Sequence, residues 1–155
     1  MPSPLQTELK QTRPFKTPLE EAFVAIMRTA AVLEHTLETA LKPLGITSTQ
    51  YNVLRILRGA GHDGLCRGEI GARMVRRVPD VTRLLDRLED AGYIERTRGA
   101  DRRYVTTRIT PQGLDVLAGL DATITAFHRT YLGALVPDQV QTLLDLLAEI
   151  RRSPT

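Results

Sequence analysis

PDVTRLLDRLEDAGYIERTRGADRRYVTTRITPQG, residues 79–113, decides the fold of this chain. Its first third places apolar residues at i, i+3, i+4 and i+7, which is typical of one face of a helix; these residues are Val81, Leu84, Leu85 and Leu88. Pro79 suits the first helical position, and Gly92 suits a left-handed stop. The sequence therefore predicts a short helix that packs through one stripe and exposes its other face.

The exposed face of this helix carries groups that hydrogen-bond to base edges and phosphates. Thr82, Arg83 and Arg87 project from it, and Arg76 and Arg77 come just before it. A hydroxyl and several guanidinium groups on one exposed helix suit the major groove of DNA. The alternative is an ordinary solvated surface.

A basic hairpin follows the helix. Residues 93–98 and 104–109 are rich in β-branched and aromatic side chains and flank the loop 99–103, a pattern that predicts two antiparallel strands. The hairpin carries five arginines: Arg96, Arg98, Arg102, Arg103 and Arg108. A protruding basic hairpin of this kind fits a minor groove.

Composition and charge place these features in an otherwise ordinary chain. The 155 residues are enough for one domain with its own core. The net charge is +3, but residues 67–108 hold eleven arginines and no lysine against seven acidic residues. The positive charge is therefore concentrated around the predicted helix and hairpin, as in nucleic-acid-binding proteins.

The chain has one cysteine, Cys66, and no apolar run long enough to span a membrane or to act as a signal peptide. We therefore expect a soluble cytoplasmic protein, associated with the nucleoid and not with a membrane. No motif for a cofactor or metal stands out, and we expect none.

The other elements are predicted by their caps and periodicity. Residues 1–18 contain four prolines and predict a flexible, extended arm. A long helix follows over 19–41, ended by Pro43 and Gly45. Thr47 to Gln50 matches a capping box, in which side chains satisfy free backbone N–H groups, and it opens a second helix.

A third, short helix is expected over Cys66 to Val75, with Gly71 allowing the next helix to approach closely. After the hairpin, Thr110 and Pro111 open a long helix that reaches Tyr131, and a last helix runs from Pro137 to Arg151.

The predicted fold is mainly α-helical with a small β-hairpin wing: a winged helix-turn-helix with extra helices at both ends. The winged-helix lobe covers about residues 47–110 within a single domain of residues 19–155. The flanking segments, 19–45 and 111–155, are too long and apolar to pack wholly on that lobe. We therefore expect them to be dimerisation helices that pack on a second copy.

With these elements in place, the chain resembles the MarR (multiple-antibiotic-resistance regulator) family of bacterial winged-helix transcription factors. The most specific match is Asp101-Arg102-Arg103, followed after six residues by Thr110 and then by Gly113. Leu88-Glu89 and Gly92-Tyr93-Ile94 precede it. Two departures are a wing tip shorter by one residue and Val78-Pro79 where the family often has a capping serine.

The resemblance implies a homodimer whose terminal helices interlock while two winged-helix lobes straddle one palindromic operator. A twofold dimer places two recognition helices about 34 Å apart, so half-sites should lie about one helical turn apart. The resemblance also implies a ligand-responsive repressor with an effector, aromatic or anionic, in a cleft between the dimerisation helices and the lobe. Tyr51, Arg55 and His35 are conceivable lining residues, although core or surface roles also explain them.

Each candidate DNA contact has an expected role. Thr82 and Arg83 are assigned to base edges and nearby phosphates, and Arg102 or Arg103 to the minor groove. Asp101 is expected to brace the wing, because a carboxylate is repelled by phosphates. The remaining candidates are phosphate or wing contacts: Arg67, Arg76, Arg77, Arg87, Arg96 and Arg98.

Three alternatives remain open. Cys66 lies where a helix begins, beside Arg67, which would favour a reactive thiolate and a redox-sensing regulator; a small buried residue is the simpler interpretation. Glu34, His35 and Glu38 share one helical turn and could bind a metal. A winged helix can also serve protein assembly without DNA. An enzyme is not expected, because no catalytic motif is present.

Overall fold

The structure, a computed structural model, describes residues 1–152. Within that range the chain forms seven α-helices and one two-stranded antiparallel sheet. The helices are α1 (Pro4–Glu8), α2 (Pro18–Leu41), α3 (Ser48–Ala60), α4 (Arg67–Arg73), α5 (Val81–Asp90), α6 (Pro111–Leu132) and α7 (Pro137–Arg152), and the strands are β1 (Ile94–Arg98) and β2 (Val105–Ile109). The predicted fold class, mainly helical with a hairpin wing, is confirmed. Residues 153–155 of the predicted C-terminal segment lie outside the described residues.

Helix boundaries follow the predicted caps at several points. The Thr47 hydroxyl accepts a hydrogen bond from the Gln50 backbone N–H at 3.1 Å, and the Gln50 side-chain oxygen Oε1 accepts one from the Thr47 backbone N–H at 3.0 Å. This is the predicted capping box. Gly45 and Gly92 adopt left-handed conformations with φ of 72° and 81°, where glycine carries no Cβ penalty.

Two boundaries around the helix-turn-helix differ from the expectation. Helix α5 begins at Val81 and not at Pro79, because the Asp80 carboxylate accepts from the Arg83 N–H at 2.9 Å and so caps the helix. Helix α4 begins after Cys66 and ends at Arg73, since the backbone of Met74 is extended.

Gly71 is not needed for close helix packing, contrary to the expectation. A Cβ built there would lie 3.6 Å from the nearest Val81 methyl group, which is an ordinary van der Waals contact.

The N-terminal segment is not extended throughout. Ser3 and Gln6 form a capping box around helix α1, and Pro4 occupies its first turn, where a missing N–H costs nothing. The Arg28 side chain of α2 donates to the Glu8 carboxylate at 2.9 Å. The expectation of an extended arm rested on the prolines alone and did not take the Ser3–Gln6 capping box into account.

The wing contains a third short segment that the sequence analysis did not predict. The strands pair from Ile94 opposite Ile109 to Arg98 opposite Val105. Leu65 forms an additional bridge with Thr107, through bonds of 3.0 and 2.8 Å. Gly64 precedes this bridge at a φ of 66°, and a Cβ there would lie 2.6 Å from the Thr107 carbonyl oxygen. Glycine is therefore required for this approach.

The core lies within the winged-helix lobe and the adjoining part of α6. Its most buried side chains include Leu41, Leu54, Leu57, Ile70, Leu85, Leu88 and Leu117. Helix α7, in contrast, buries none of its residues, and α2 buries only Leu41. No helix of residues 1–152 is both long and apolar enough to cross a membrane.

One junction ties the lobe to helix α6. The Thr110 hydroxyl donates to the Gly92 carbonyl oxygen at 2.6 Å and accepts from the Gly113 N–H at 3.1 Å. A Cβ on Gly113 would overlap the Tyr93 carbonyl oxygen and lie 2.7 Å from an Ile109 side-chain carbon. Only glycine fits at position 113, because there is no room for a Cβ atom.

Replacing Gly113 by alanine is expected to lower the free energy of unfolding by about 1–3 kcal/mol, because the added methyl group must displace backbone. Urea denaturation followed by circular dichroism measures the change. Gly119→Ala is the matched control on the same helix, since a Cβ there meets nothing within 4 Å. The control should raise stability slightly; equal effects of both substitutions would contradict the packing argument.

Candidate nucleic-acid interface

The candidate interface is built on the outer face of α5. Leu85 and Leu88 are 1% and 0% exposed, so they fix the rotation of the helix against the core. Thr82, Arg83 and Arg87 then lie exposed on its outer side. The binary pattern of the helix thus places the three predicted DNA-contacting residues on one free surface.

Arg67 is joined to this surface by a hydrogen bond. Its Nη1 group lies 2.8 Å from the Thr82 hydroxyl oxygen, across the two helices of the helix-turn-helix. Both residues are exposed. The first turn of α4 and the first turn of α5 therefore share one polar surface.

The two arginines of the turn between α4 and α5 have different surroundings. Arg76 forms an ion pair with Glu34 of helix α2. Arg77 is exposed. A phosphate contact by Arg76 would therefore require it to exchange a carboxylate for a phosphate, whereas Arg77 needs no such exchange.

The tip of the wing is basic and accessible. Arg98, Arg102 and Arg103 are all exposed, and the Arg103 side chain keeps 91% of its accessible surface. The Asp101 carboxylate accepts from the Arg103 N–H at 3.1 Å, as an Asx turn does. This is the contact expected of a residue that braces the wing.

Arg96 does not lie on the accessible surface that a DNA contact was expected to occupy. Its Nη2 group lies 2.6 Å from the Asp86 carboxylate and 2.9 Å from that of Glu89, and its backbone N–H also donates to Glu89. Its side chain is only 22% exposed. Arg96 therefore braces the wing against α5, because carboxylates from the helix hold its guanidinium.

The pKa values at this brace report the same contact. Hydrogen bonding from the Arg96 side chain holds the pKa of Glu89 below its ordinary value. Hydrogen bonding to Glu89 raises the pKa of Arg96 further above its usual range. Arg108 is likewise engaged, since its Nε group donates to the His62 carbonyl oxygen at 2.6 Å. The arginines of the wing thus divide into internal braces and free cations.

Comparison with known proteins identifies this arrangement. The MarR family model matches residues 46–105, the winged-helix lobe. The chain is 35% identical over 123 residues to the multiple antibiotic resistance protein MarR of Salmonella typhimurium. The alignment covers 74% of this chain and 79% of that protein. The chain belongs to the MarR family of transcriptional regulators. The resemblance drawn from the sequence is confirmed, and the matched homologues are regulators and not enzymes.

Two solved structures share the fold of this MarR-family chain. The crystal structure of an S. aureus MepR–DNA complex superposes with a TM-score of 0.77 at 21% identity, covering 84% of this chain and 96% of MepR. CouR from Rhodococcus jostii, bound to p-coumaroyl-CoA, superposes with a TM-score of 0.75 at 22% identity, covering 91% and 99% of the two chains. At these identities the likeness establishes the fold alone.

A cavity of about 650 Å³ lies between the lobe and the long helices of this MarR-family chain. Tyr51 and Arg55, two of the three conceivable lining residues, lie in its wall. The third, His35, does not; the histidine in the wall is His128 of α6. Its remaining walls come from α2, α3, α6 and the turn before α5; they include Leu33, Glu34, Leu37, Asn52, Met74, Val75, Arg76 and Phe127.

Asn52 is a functional candidate that sequence reasoning missed. It is 8% exposed, and its side-chain oxygen accepts from the Val75 N–H at 2.9 Å. Asn52, a residue of the cavity wall, therefore holds the turn that leads into α5. The only signal in the sequence is a polar residue beside the buried Val53 and Leu54.

The alternatives based on Cys66 and on the acidic turn of α2 gain no support from the geometry. The Cys66 N–H donates to the Glu69 carboxylate at 2.9 Å, so an acidic group already occupies the start of α4. That hydrogen bond is the main reason why the pKa of Glu69 lies below its ordinary value. In α2, Glu34 pairs with Arg76 and Glu38 accepts from the Ser48 N–H.

Replacing Glu89 by glutamine is expected to lower the free energy of unfolding by about 1 kcal/mol at neutral pH, because Arg96 loses a charged acceptor. Since Glu89 is 39% exposed, solvent screening limits the effect. Its folded pKa is lowered, so the stabilisation is complete above the ordinary glutamate value of about 4.3 and is lost as the pH falls through the folded value. Urea denaturation between neutral and acidic pH measures this.

The difference between wild type and Glu89→Gln should therefore shrink in acid. Asp90→Asn is the matched control, because it removes the same charge from an exposed position on the same helix. The control should not reproduce the pH dependence. A Glu89→Gln difference that stays constant into acid would contradict the assigned brace.

Proposed function

We propose that this regulator binds an inverted-repeat DNA operator as a homodimer and releases it when a small molecule occupies the cavity. The observation that carries the proposal is the polar surface shared by the starts of α5 and α4, together with the exposed basic tip of the wing. Its cations are exposed, while neighbouring arginines are held by carboxylates. The crystal structure of MepR, which has the same fold, is that of a complex with DNA, and this supports such a use of the surface.

The proposed contacts follow the accessible groups. Thr82 and Arg83 read base edges in the major groove, because a hydroxyl and a guanidinium match the groups displayed there. One of Arg102 and Arg103 enters the minor groove. The proposed phosphate contacts are Arg67, Arg76, Arg77, Arg87 and Arg98. Arg96 and Asp101 hold the wing in place and leave the contact to these residues.

The unburied terminal helices support the homodimer. Among large apolar residues of α7, Leu144, Leu146 and Ile150 are 55%, 59% and 53% exposed, and Phe23 of α2 is 65% exposed. An amphipathic helix of this length is not stable in water without a packed face. A second copy of the same helices is the partner that closes this surface by symmetry.

Leu144→Glu is expected to shift the protein from dimer to monomer, because a charge at the centre of the apolar face would be buried without a partner. Sedimentation velocity at micromolar concentration measures the change. Asp145→Lys, which places a charge beside the polar residues Gln141 and Glu149 of the same helix, is the control and should remain dimeric. Wild-type protein that sediments as a monomer would refute the proposed homodimer.

The cavity supports a response to a small molecule. Its wall is mainly apolar, with Tyr51 and Phe127 as aromatic members and Arg55 and Arg76 as cations. These groups suit an aromatic molecule with an acidic group. Because Val75 and Arg76 belong to the turn before α5, an occupant contacts the segment that positions the recognition helix. CouR, a structural neighbour, is described as bound to p-coumaroyl-CoA.

Operator binding is tested by fluorescence anisotropy with the DNA upstream of the chain's own gene, against an unrelated duplex, across a salt series. Arg83→Ala should cost about 1–3 kcal/mol on the operator and blur the preference at one base pair. Arg98→Ala, a wing cation, should weaken all duplexes alike and reduce the salt slope by about 0.9. If both variants lost the same binding free energy on every duplex, Arg83 would not be a base-reading residue.

The same assay separates the remaining alternatives. Aromatic carboxylic acids added to the complex should lower the anisotropy if the cavity controls binding. Equal weak binding of all duplexes would favour a role in protein assembly. A regulator of this kind would act in the cytoplasm, at the nucleoid, where its operator lies.

A further inference from the structure

The hydroxyl of Thr82 does not follow the pattern seen for most helical threonines. Five threonines inside helices donate their hydroxyl hydrogen to the carbonyl oxygen four residues earlier, at 2.8–3.2 Å; these are Thr7, Thr36, Thr39, Thr130 and Thr142. Thr82 is the second residue of α5, so the residue four positions earlier lies outside the helix. Its hydroxyl instead contacts Arg67.

The chemistry of this contact assigns the hydrogen. A guanidinium can only donate, whereas a hydroxyl has one hydrogen to donate and two lone pairs that accept. Thr82 must therefore accept from Arg67, at 2.8 Å between Nη1 and Oγ1. The hydroxyl hydrogen stays available for another acceptor. The contact also selects one orientation of a stiff β-branched side chain.

This arrangement has a consequence for recognition of DNA. An unrestrained hydroxyl can donate or accept and so discriminates poorly among bases. With one lone pair held by Arg67, the O–H bond of Thr82 must point away from the guanidinium, which orients the hydrogen toward acceptors such as purine N7, guanine O6 or thymine O4. Arg67 keeps further N–H groups for a phosphate, because its guanidinium carries five.

We propose that Arg67 is a specificity-positioning residue that orients the Thr82 hydroxyl as a donor to one base while its guanidinium anchors the DNA backbone. This assignment rests on the proposed operator binding. It gives Arg67 two separable effects: a uniform contribution to affinity through the phosphate, and a base-specific contribution through Thr82. A simple phosphate contact would have only the first.

A double-mutant cycle separates the two effects. Arg67→Ala, Thr82→Val and the double variant are titrated with the operator and with duplexes altered at each base pair of one half-site, across a salt series. Thr82→Val keeps the side-chain shape and removes the hydroxyl, so the preference at one base pair should fall by about 5- to 100-fold. Arg67→Ala should flatten the preference at that same base pair and also reduce the salt slope by about 0.9.

The double variant should then be no less selective than Thr82→Val, because both substitutions remove one shared interaction. Arg77→Ala is the matched control: it deletes an exposed cation from the same lobe and should weaken all duplexes equally while keeping the preference.

The outcomes distinguish this assignment from the proposed function. If wild type prefers its operator and Arg67→Ala weakens all duplexes equally, as Arg77→Ala does, the positioning role is overturned and the regulator stands. If wild type shows no preference among duplexes, the proposed operator binding fails and the positioning role fails with it. Additive losses of preference at two different base pairs would also overturn the shared interaction.

Discussion

The joint around Thr110 is the constraint on which the rest of the structure depends. Its hydroxyl bonds to the turn after α5 and to the first turn of α6, and its N–H donates to the Tyr93 carbonyl oxygen at 3.0 Å. Gly113 lets the two backbones meet without a side chain between them. The recognition helix, the wing and a long terminal helix are thereby held in one geometry.

Charge is divided within the lobe between bracing and contact. Arg96 is enclosed by Asp86 and Glu89, and this fixes the wing relative to α5 at a modest cost in desolvation, because the group stays partly exposed. The cations that remain exposed sit on the outer face of the helix and at the wing tip. The same arginine-rich segment therefore supplies both the ion pairs that hold the wing and the exposed cations of the candidate interface.

Two polar contacts lie in the wall of the cavity. Glu34 pairs with Arg76, and Asn52 accepts from the Val75 N–H. Both contacts end on the turn that precedes α5. A molecule in the cavity would therefore compete directly with the groups that position the recognition helix. The apolar faces of α2 and α7 remain exposed in the single chain, and α2 also forms a wall of the cavity. The proposed dimer contact and the cavity therefore share helix α2.

The sequence by itself determined the helices from α2 onward, the hairpin and the family, because caps, apolar periodicity and turn residues act over two to four positions along the chain. Thr47, Thr110 and Gly92 were identified correctly for this reason. Only the tertiary structure decided which arginines are free. Arg67 meets Thr82 across 15 residues, Asn52 meets Val75 across 23, and Glu34 meets Arg76 across 42. These side-chain contacts depend on how the helices and strands pack. The position of a charged residue in the sequence does not indicate which distant group will bind it.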